Sequence, residues 1–198
     1  MSEMFKDIND FEKRLGLPLN FYQNLFKEDD WSFVIKISAL FEAACTHILS
    51  IKLRAPELES AFSHLEQENT KYGKIVLLKK MGAISNSQYK FLNNLATLRN
   101  QLAHNIDNVN FTFSKHTETL DANQKKNFIS NYGYNCSDVI ELKGKNIPRN
   151  EFILSNAKEV IWFTAADILA CLYLEIEIVD FEMLKEGYKW YQNNLTNR

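Results

Sequence analysis

The segment LRNQLAHN, at positions 98–105, holds residues whose types and spacing could do chemistry. Arg99 is followed directly by Asn100, and His104 comes five residues after the arginine. A histidine with a pKa near neutrality can take a proton from a ribose 2′-hydroxyl or give one to a leaving 5′-oxygen. An arginine keeps its charge and can stabilise the extra negative charge on a pentacoordinate phosphorus. These residue types are the ones that metal-free cleavage of RNA needs, with a 2′,3′-cyclic phosphate as the product.

Arg99 interrupts the apolar stripe of a predicted amphipathic helix. The apolar residues of this stripe recur at three- and four-residue spacings, at Leu92, Leu95, Leu102 and Ile106. Position 99 is the missing member of the series, and an apolar residue is expected there. A buried guanidinium is costly unless it is paired, so we expect Arg99 to have a partner.

Asn100 and His104 lie on a different face of the same helix. They are four residues apart, so their side chains can touch. Arg99 and His104 are about 140° apart around a helix that turns about 100° per residue. A single helix therefore does not stack them. If two copies of the helix meet across a two-fold axis, both arginines and both histidines can line one cleft.

The RNxxxH segment, residues 99–104, ends the most basic section of the chain. The net charge of all 198 residues is −2. Positions 69–106 contain no Asp or Glu and six Lys or Arg, so this section carries +6 and the remainder −8. A local positive field attracts phosphates whatever the total charge. Lys79, Lys80 and Lys90 are therefore candidate RNA-binding residues. The alternative is that these lysines only solvate helix surfaces.

A structural interpretation of the RNxxxH segment also stays open. A histidine near the C-terminus of a helix is favoured because its cation complements the helix dipole. Arg99 could be held by a structural carboxylate such as Glu42, which lies on a long predicted helix. Among the other histidines, His64 and His116 have no partner pattern, so we expect both on the surface.

The elements that must position these residues are predicted to be helices. The chain has six Gly and three Pro, which are few for its length and favour helices over a turn-rich β-sandwich. Apolar positions repeat at helical spacing over residues 31–53. Ser85 or Ser87 is a plausible N-cap for the helix that carries the RNxxxH segment. The expected fold class is all-α, a helical bundle.

We predict one domain of 198 residues, with its core at about 31–106 and in C-terminal helices at 155–195. The first of these helices is long and buried, and the second packs after it. Between the two parts lies an irregular insertion at about 107–150. In it, NVNFTF (108–113) alternates like a strand, 117–131 favours a helix, and DVIEL (138–142) favours a strand, so a short β-hairpin can form.

LRNQLAHN resembles the RNxxxH form of the Rx4–6H motif of HEPN domains. This all-helical family occurs in prokaryotic toxins, phage-defence effectors and some eukaryotic ribonucleases. The match covers Arg99, Asn100 and His104, and the order of the long helix and the later motif helix agrees. Residues 74–105, followed by VNFTF, are also similar to the mannitol operon repressor family. Together the resemblance covers about residues 31–114.

The HEPN resemblance implies a homodimeric endoribonuclease, acting as a toxin or as a phage-defence or stress effector, with no metal and no cofactor. It makes Arg99 and His104 catalytic, Asn100 supporting and Glu42 a candidate supporting residue. It also implies an antitoxin or defence-system partner protein. Some HEPN toxins carry a tyrosine two residues after the histidine, which a partner nucleotidyltransferase modifies, whereas Ile106 stands here. Similarity to the mannitol repressor implies the alternative, a non-catalytic dimeric module in transcriptional regulation.

Location in the cytoplasm is expected from three features. The N-terminal residues include acids and no apolar stretch typical of a secretory signal. The cysteines Cys45, Cys136 and Cys171 lie far apart with no CxxC spacing, which fits a reducing compartment. The most apolar segment, 160–179, is interrupted by three acidic residues, so it favours a buried helix over a membrane span.

Overall fold

Helices make up almost all regular structure, which confirms the all-α prediction. The computed structural model describes residues 2–142 and 144–195. The α-helices of this described part are α1 (Ser2–Arg14), α2 (Phe21–Leu25), α3 (Asp30–Lys52), α4 (Glu59–Ser63), α5 (Lys74–Lys80), α6 (Asn86–Ala103), α7 (Phe113–Thr119), α8 (Ala122–Tyr132), α9 (Arg149–Ser155) and α10 (Ala157–Leu195). Short 3-10 turns occupy Pro56–Leu58 and Ile106–Asn110, and strands β1 (Val139–Leu142) and β2 (Lys145–Pro148) form one hairpin.

The central helix of the fold is α3, which packs against α4, α5, α6 and α10. It begins at an N-cap, Asp29, whose side chain accepts a hydrogen bond from the Ser32 backbone N–H. By length and composition α3 could cross a membrane, but 61% of its apolar window is buried inside the protein. It is therefore the core helix of this bundle, with side chains such as Phe33, Ile37 and Ile48 fully buried.

The helix that carries the RNxxxH segment is α6, and Ser85 is its N-cap. The backbone N–H of Gln88 donates to Ser85 Oγ at 3.2 Å, and the Ser85 N–H donates to Gln88 Oε1 at 2.7 Å. This capping box satisfies two N–H groups that the first turn would leave free. Ile106 was expected in the apolar stripe, but it is 78% exposed because α6 ends at Ala103.

The strand predicted over 108–113 is wrong. This stretch forms the end of the 3-10 turn Ile106–Asn110 and the start of α7. Two side chains cap these turns: Asn105 accepts from the Asp107 N–H at 3.0 Å, and Thr112 accepts from the Lys115 N–H at 3.4 Å. Such local side-chain bonds compete with an extended strand and favour helical turns.

The rest of the predicted insertion is closer to expectation. The helix predicted over 117–131 is divided between the end of α7 and the whole of α8. The strand predicted over 138–142 is confirmed as β1, which pairs with β2 through a turn that includes Gly144 at φ +74°. Glycine suits that turn because a positive φ strains other residues.

Side chains from this region enter the same hydrophobic core as the long helices. Phe113, Phe128, Tyr132 and Ile153 are buried there. The Tyr132 ring lies edge-on to the ring of Phe91 on α6, with centroids 5.5 Å apart. Residues 113–153 therefore help to hold α6 in place.

Two C-terminal helices were predicted, and this prediction is wrong because α10 is one helix of 39 residues. From position 157 to 186 the sequence has no Gly or Pro, so nothing ends the helix at the expected break. Gly187 lies within α10 without interrupting it. Residues 181–194 are exposed, and Glu186 in this last part is tied to the bundle by an ion pair with Arg54 at 2.7 Å.

Candidate functional site at the end of α6

Arg99 is paired with a carboxylate on the central helix. Its Nη2 atom lies 3.3 Å from Oε2 of Glu42, which α3 supplies. The Arg99 side chain is 30% exposed and that of Glu42 is 38% exposed, so the pair sits at the edge of the core. Arg99 thus interrupts the apolar stripe of α6 at a position where Glu42 pairs with it, and Glu42 is the partner suggested from the sequence.

A second cation, Lys74, approaches the same carboxylate. Its side chain is only 1% exposed, and Nζ lies 3.4 Å from Oε1 of Glu42. The ammonium also donates to the backbone carbonyl of Ser63 at 3.1 Å. Lysines are seldom buried unless they are paired. Glu42 therefore joins α3, α5 and α6 by contacting two cations at once.

Sequence reasoning did not select Lys74 as a site residue. The only sequence signal for a buried Lys74 was the apolar run IVLL that comes directly after it. In the structure Lys74 begins α5, and Ile75 and Leu78 of this run are fully buried. A pattern of apolar neighbours does not show whether the lysine itself points inward. That is decided by where α3 presents Glu42.

Asn100 is held by a carboxylate from a loop. Its Nδ2 donates to the carboxylate of Glu68, another residue that the sequence did not indicate. The loop returns to the bundle through backbone hydrogen bonds, from the Gly73 N–H to the Asn69 carbonyl at 2.9 Å and from the Lys74 N–H to the Glu66 carbonyl at 3.0 Å. Asn100 therefore turns toward this loop, although it could have contacted His104.

His104 is the C-cap of α6 and is exposed. Its backbone keeps helical angles, φ −83° and ψ −11°, and its N–H donates to the Asn100 carbonyl at 3.2 Å. Within residues 2–142 and 144–195, the imidazole makes no hydrogen bond or ion pair. Arg99 and His104 are thus not joined within one chain, as the helical angle between them predicted.

The lysines predicted to bind RNA lie in different surroundings. Lys79 donates to Asn86 Oδ1 at 2.7 Å, and its ammonium lies 4.2 Å from the centroid of the Tyr89 ring. Lys80 donates to the Lys71 carbonyl at 3.4 Å. Lys90 lines a separate cavity formed with α8 and α9.

Lys90 and Arg99 are on opposite faces of α6. They are nine residues apart, which is about half a turn out of phase on a helix of 3.6 residues per turn. The structure therefore does not bring Lys90 beside the Arg99–Glu42 pair of the same chain.

The other histidines differ from one another in burial. His64 is exposed as expected. The surface prediction for His116 is wrong, since its ring is half-buried between Phe111 and Phe128, with centroid distances of 5.5 and 6.1 Å. This burial lowers the pKa of His116 because the charged imidazolium is poorly solvated there.

No family model, curated protein or solved structure matches this chain. Within the described ranges, no group of three or more His, Cys, Asp or Glu side chains is arranged to hold a metal ion.

Proposed function

We propose that this chain is a metal-independent endoribonuclease that works as a homodimer in the cytoplasm, as a toxin or a phage-defence or stress effector. Arg99 and His104 are its catalytic residues and Asn100 supports them. The substrate is RNA, and an antitoxin or a defence partner controls the activity. The resemblance of residues 99–104 to the HEPN motif supports this function, together with the arrangement of side chains at the end of α6.

One observation is the main support for this function. Near the end of α6, Glu42 orients the guanidinium of Arg99, and the imidazole of His104 makes no hydrogen bond or ion pair among the described residues. A guanidinium has five N–H donors, and Arg99 uses one of them on Glu42. The other donors are left for phosphate oxygens. In this proposal Glu42 and Glu68 are positioning residues, because they hold Arg99 and Asn100. His104 is exposed and can meet groups from outside its own chain.

The chemistry is an internal transfer at phosphorus. One His104 takes the proton of a ribose 2′-hydroxyl, and the 2′-oxygen forms a bond to the adjacent phosphorus. The bond from phosphorus to the 5′-oxygen breaks, and the His104 of the second copy gives this oxygen a proton. The products are a 2′,3′-cyclic phosphate and a 5′-hydroxyl. Arg99 stabilises the charge on the pentacoordinate phosphorus, and Lys79 and Lys80 are proposed to contact the rest of the RNA.

The exposed part of α10 supports association of two copies. Six of its exposed large hydrophobic residues follow three- and four-residue spacings and are about half or more exposed: Leu174, Ile178, Phe181, Leu184, Tyr188 and Tyr191. We call these six residues the α10 stripe. A seam with this spacing is typical of helices that pair along their length. Large exposed apolar patches are uncommon on monomers and usually mark an interface.

The alternative is a non-catalytic dimeric regulatory module, and one observation favours it. The ion pairs of Glu42 with Arg99 and with buried Lys74 give the arginine a structural role. In that case α6 needs Arg99 to pack against α3, and His104 only complements the helix dipole.

Expression of His104→Ala separates the two functions, with the exposed His64→Ala as the matched control. If the chain is a ribonuclease, the wild type and His64→Ala suppress growth, and His104→Ala restores it at equal protein levels. Equal tolerance of all three proteins favours the regulatory module.

Purified protein provides a second measurement. We expect the wild type and His64→Ala to cleave RNA in EDTA and to leave 2′,3′-cyclic phosphate ends, and we expect His104→Ala not to cleave. RNA that stays intact, or cleavage that EDTA abolishes, would contradict the proposed mechanism.

A further inference from the structure

We infer that a basic cavity between α6, α8 and the start of α9 binds a small molecule that carries a chain of phosphates. The cavity has a volume of about 680 Å³. Four cationic side chains line it: Lys90, Lys125, Lys126 and Arg149. This site is separate from the RNxxxH segment and does not depend on the proposed ribonuclease activity.

Carboxylates do not line this cavity. No Asp or Glu is among its lining residues, and Glu118 lines an adjacent cavity together with Lys125. In the part of the chain that the structure describes, none of the four cations forms an ion pair. The carboxylates of Glu118 and Asp121, which lie close by in sequence, accept hydrogen bonds from Ser114 Oγ and from the Gln124 N–H. Like charges around one cleft focus an attractive field for anions.

Arg149 is held in a fixed orientation at this cavity. Its Nη2 donates to the Gly133 carbonyl at 2.8 Å, and its backbone N–H donates to the Asp138 carbonyl at 3.0 Å. Its Nε is buried and has no hydrogen-bond partner among the described residues. A Cβ at Gly133 would overlap the Ile153 side chain, so the end of α8 is pressed closely against α9. A guanidinium that these hydrogen bonds hold in place is preorganised for a phosphate group.

The helices add to this field through their dipoles. Ser87 is in the first turn of α6 and Ala122 is in the first turn of α8, and both line the cavity. The positive ends of two helix dipoles therefore lie at the same site as the four cations. Apolar groups from Ile129 and Leu154 also line the cavity, and they form a surface on which a nucleoside can rest.

The charge density favours a phosphate chain over an RNA backbone. An RNA strand presents one negative charge at each phosphodiester. A triphosphate brings several negative charges into one small volume, and the four cations likewise lie around one cavity. Inorganic tripolyphosphate and a nucleoside triphosphate share this chemistry, and their affinities for the protein distinguish them.

Calorimetric titration of the full chain, in buffer without divalent ions, tests the site. The probes are tripolyphosphate, ATP, GTP, AMP and a short RNA with a 5′-hydroxyl. We expect tripolyphosphate and both triphosphates to bind about tenfold or more tightly than AMP and the RNA. Equal affinity for tripolyphosphate and ATP indicates that the phosphate chain alone is recognised. Tighter ATP binding indicates a nucleotide as the natural source.

The double variant Lys125→Ala/Lys126→Ala provides the structural test, because alanine preserves the helix α8. We expect it to lose about tenfold or more in affinity for tripolyphosphate, while its thermal unfolding stays unchanged. The matched control, Lys185→Ala/Lys189→Ala, removes the same charge from exposed positions on α10 and should bind as the wild type does. No binding of tripolyphosphate, binding of RNA in preference to it, or equal loss in both double variants would overturn the inference.

Discussion

Glu42 and Arg99 are 57 residues apart in sequence and meet at 3.3 Å, where α3 crosses α6. Because buried Lys74 approaches the same carboxylate, Glu42 has two roles. Its carboxylate is the counter-charge of a lysine inside the bundle, and it orients the arginine of the RNxxxH segment. The stability of the fold and the geometry of the candidate site are therefore linked through one side chain.

We predict that Glu42→Gln lowers the free energy of unfolding by about 1–3 kcal/mol, because buried Lys74 loses its counter-charge. Urea denaturation measures this change. The control is Glu28→Gln, which removes a surface ion pair with Lys36 and should change the free energy by less than about 1 kcal/mol. The additional change Lys74→Met should recover part of the loss. Equal effects of the two glutamine variants would show that Lys74 does not need Glu42.

We predict that Gly73→Ala destabilises the fold by about 1–3 kcal/mol, because overpacking forces the backbone to shift. A Cβ at position 73 would lie 2.6 Å from the backbone N and O of Asn69. Gly187→Ala is the matched control, since a Cβ there meets nothing within 4 Å and the position is inside α10. That variant should gain about 0.5–1 kcal/mol. Thermal unfolding compares the two, and a neutral Gly73→Ala would contradict the close approach.

The lowered pKa of His116 predicts a loss of stability in acid. Burial disfavours the charged ring in the folded protein, so the unfolded chain binds a proton more readily. Stability is then complete above the unfolded pKa of about 6.5 and falls as the pH drops below it toward the folded pKa. We expect His116→Gln to lose less stability between neutral and acid pH than the wild type. Exposed His64→Gln should behave as the wild type does, and a pH profile unchanged by His116→Gln would refute this role.

The α10 stripe predicts a dimer in solution. Leu184 is 74% exposed on this stripe, and Leu184→Lys should shift the mass measured by light scattering from two chains to one, because a charge in an apolar seam is poorly solvated. Leu19→Lys is the control, since Leu19 is 65% exposed but lies outside α10. A wild-type protein that is monomeric, or a Leu184→Lys protein that stays dimeric, would contradict an interface at this stripe.

Features that depend on neighbours in sequence were predictable. The repeat of apolar residues located α3, and Ser85 was one of two candidate caps for α6, of which the structure selects Ser85 through Gln88 three residues away. The strand at β1 was recognised in the same way. The strand at 108–113 was a wrong prediction, because alternation over six residues is weak beside the local bonds of Asn105 and Thr112.

The candidate site was predictable only in part. The sequence by itself determined that Arg99 occupies an apolar position, that Asn100 and His104 share another face, and that the surrounding section is basic. These properties follow from residue type and helical period alone. Only the tertiary structure decided that Lys74 and Glu68 join the site and that Lys90 belongs to a different cavity. Those contacts depend on how α3, α5, α8 and the loops pack around α6, because a side chain's partner is chosen by packing between elements that are distant in sequence.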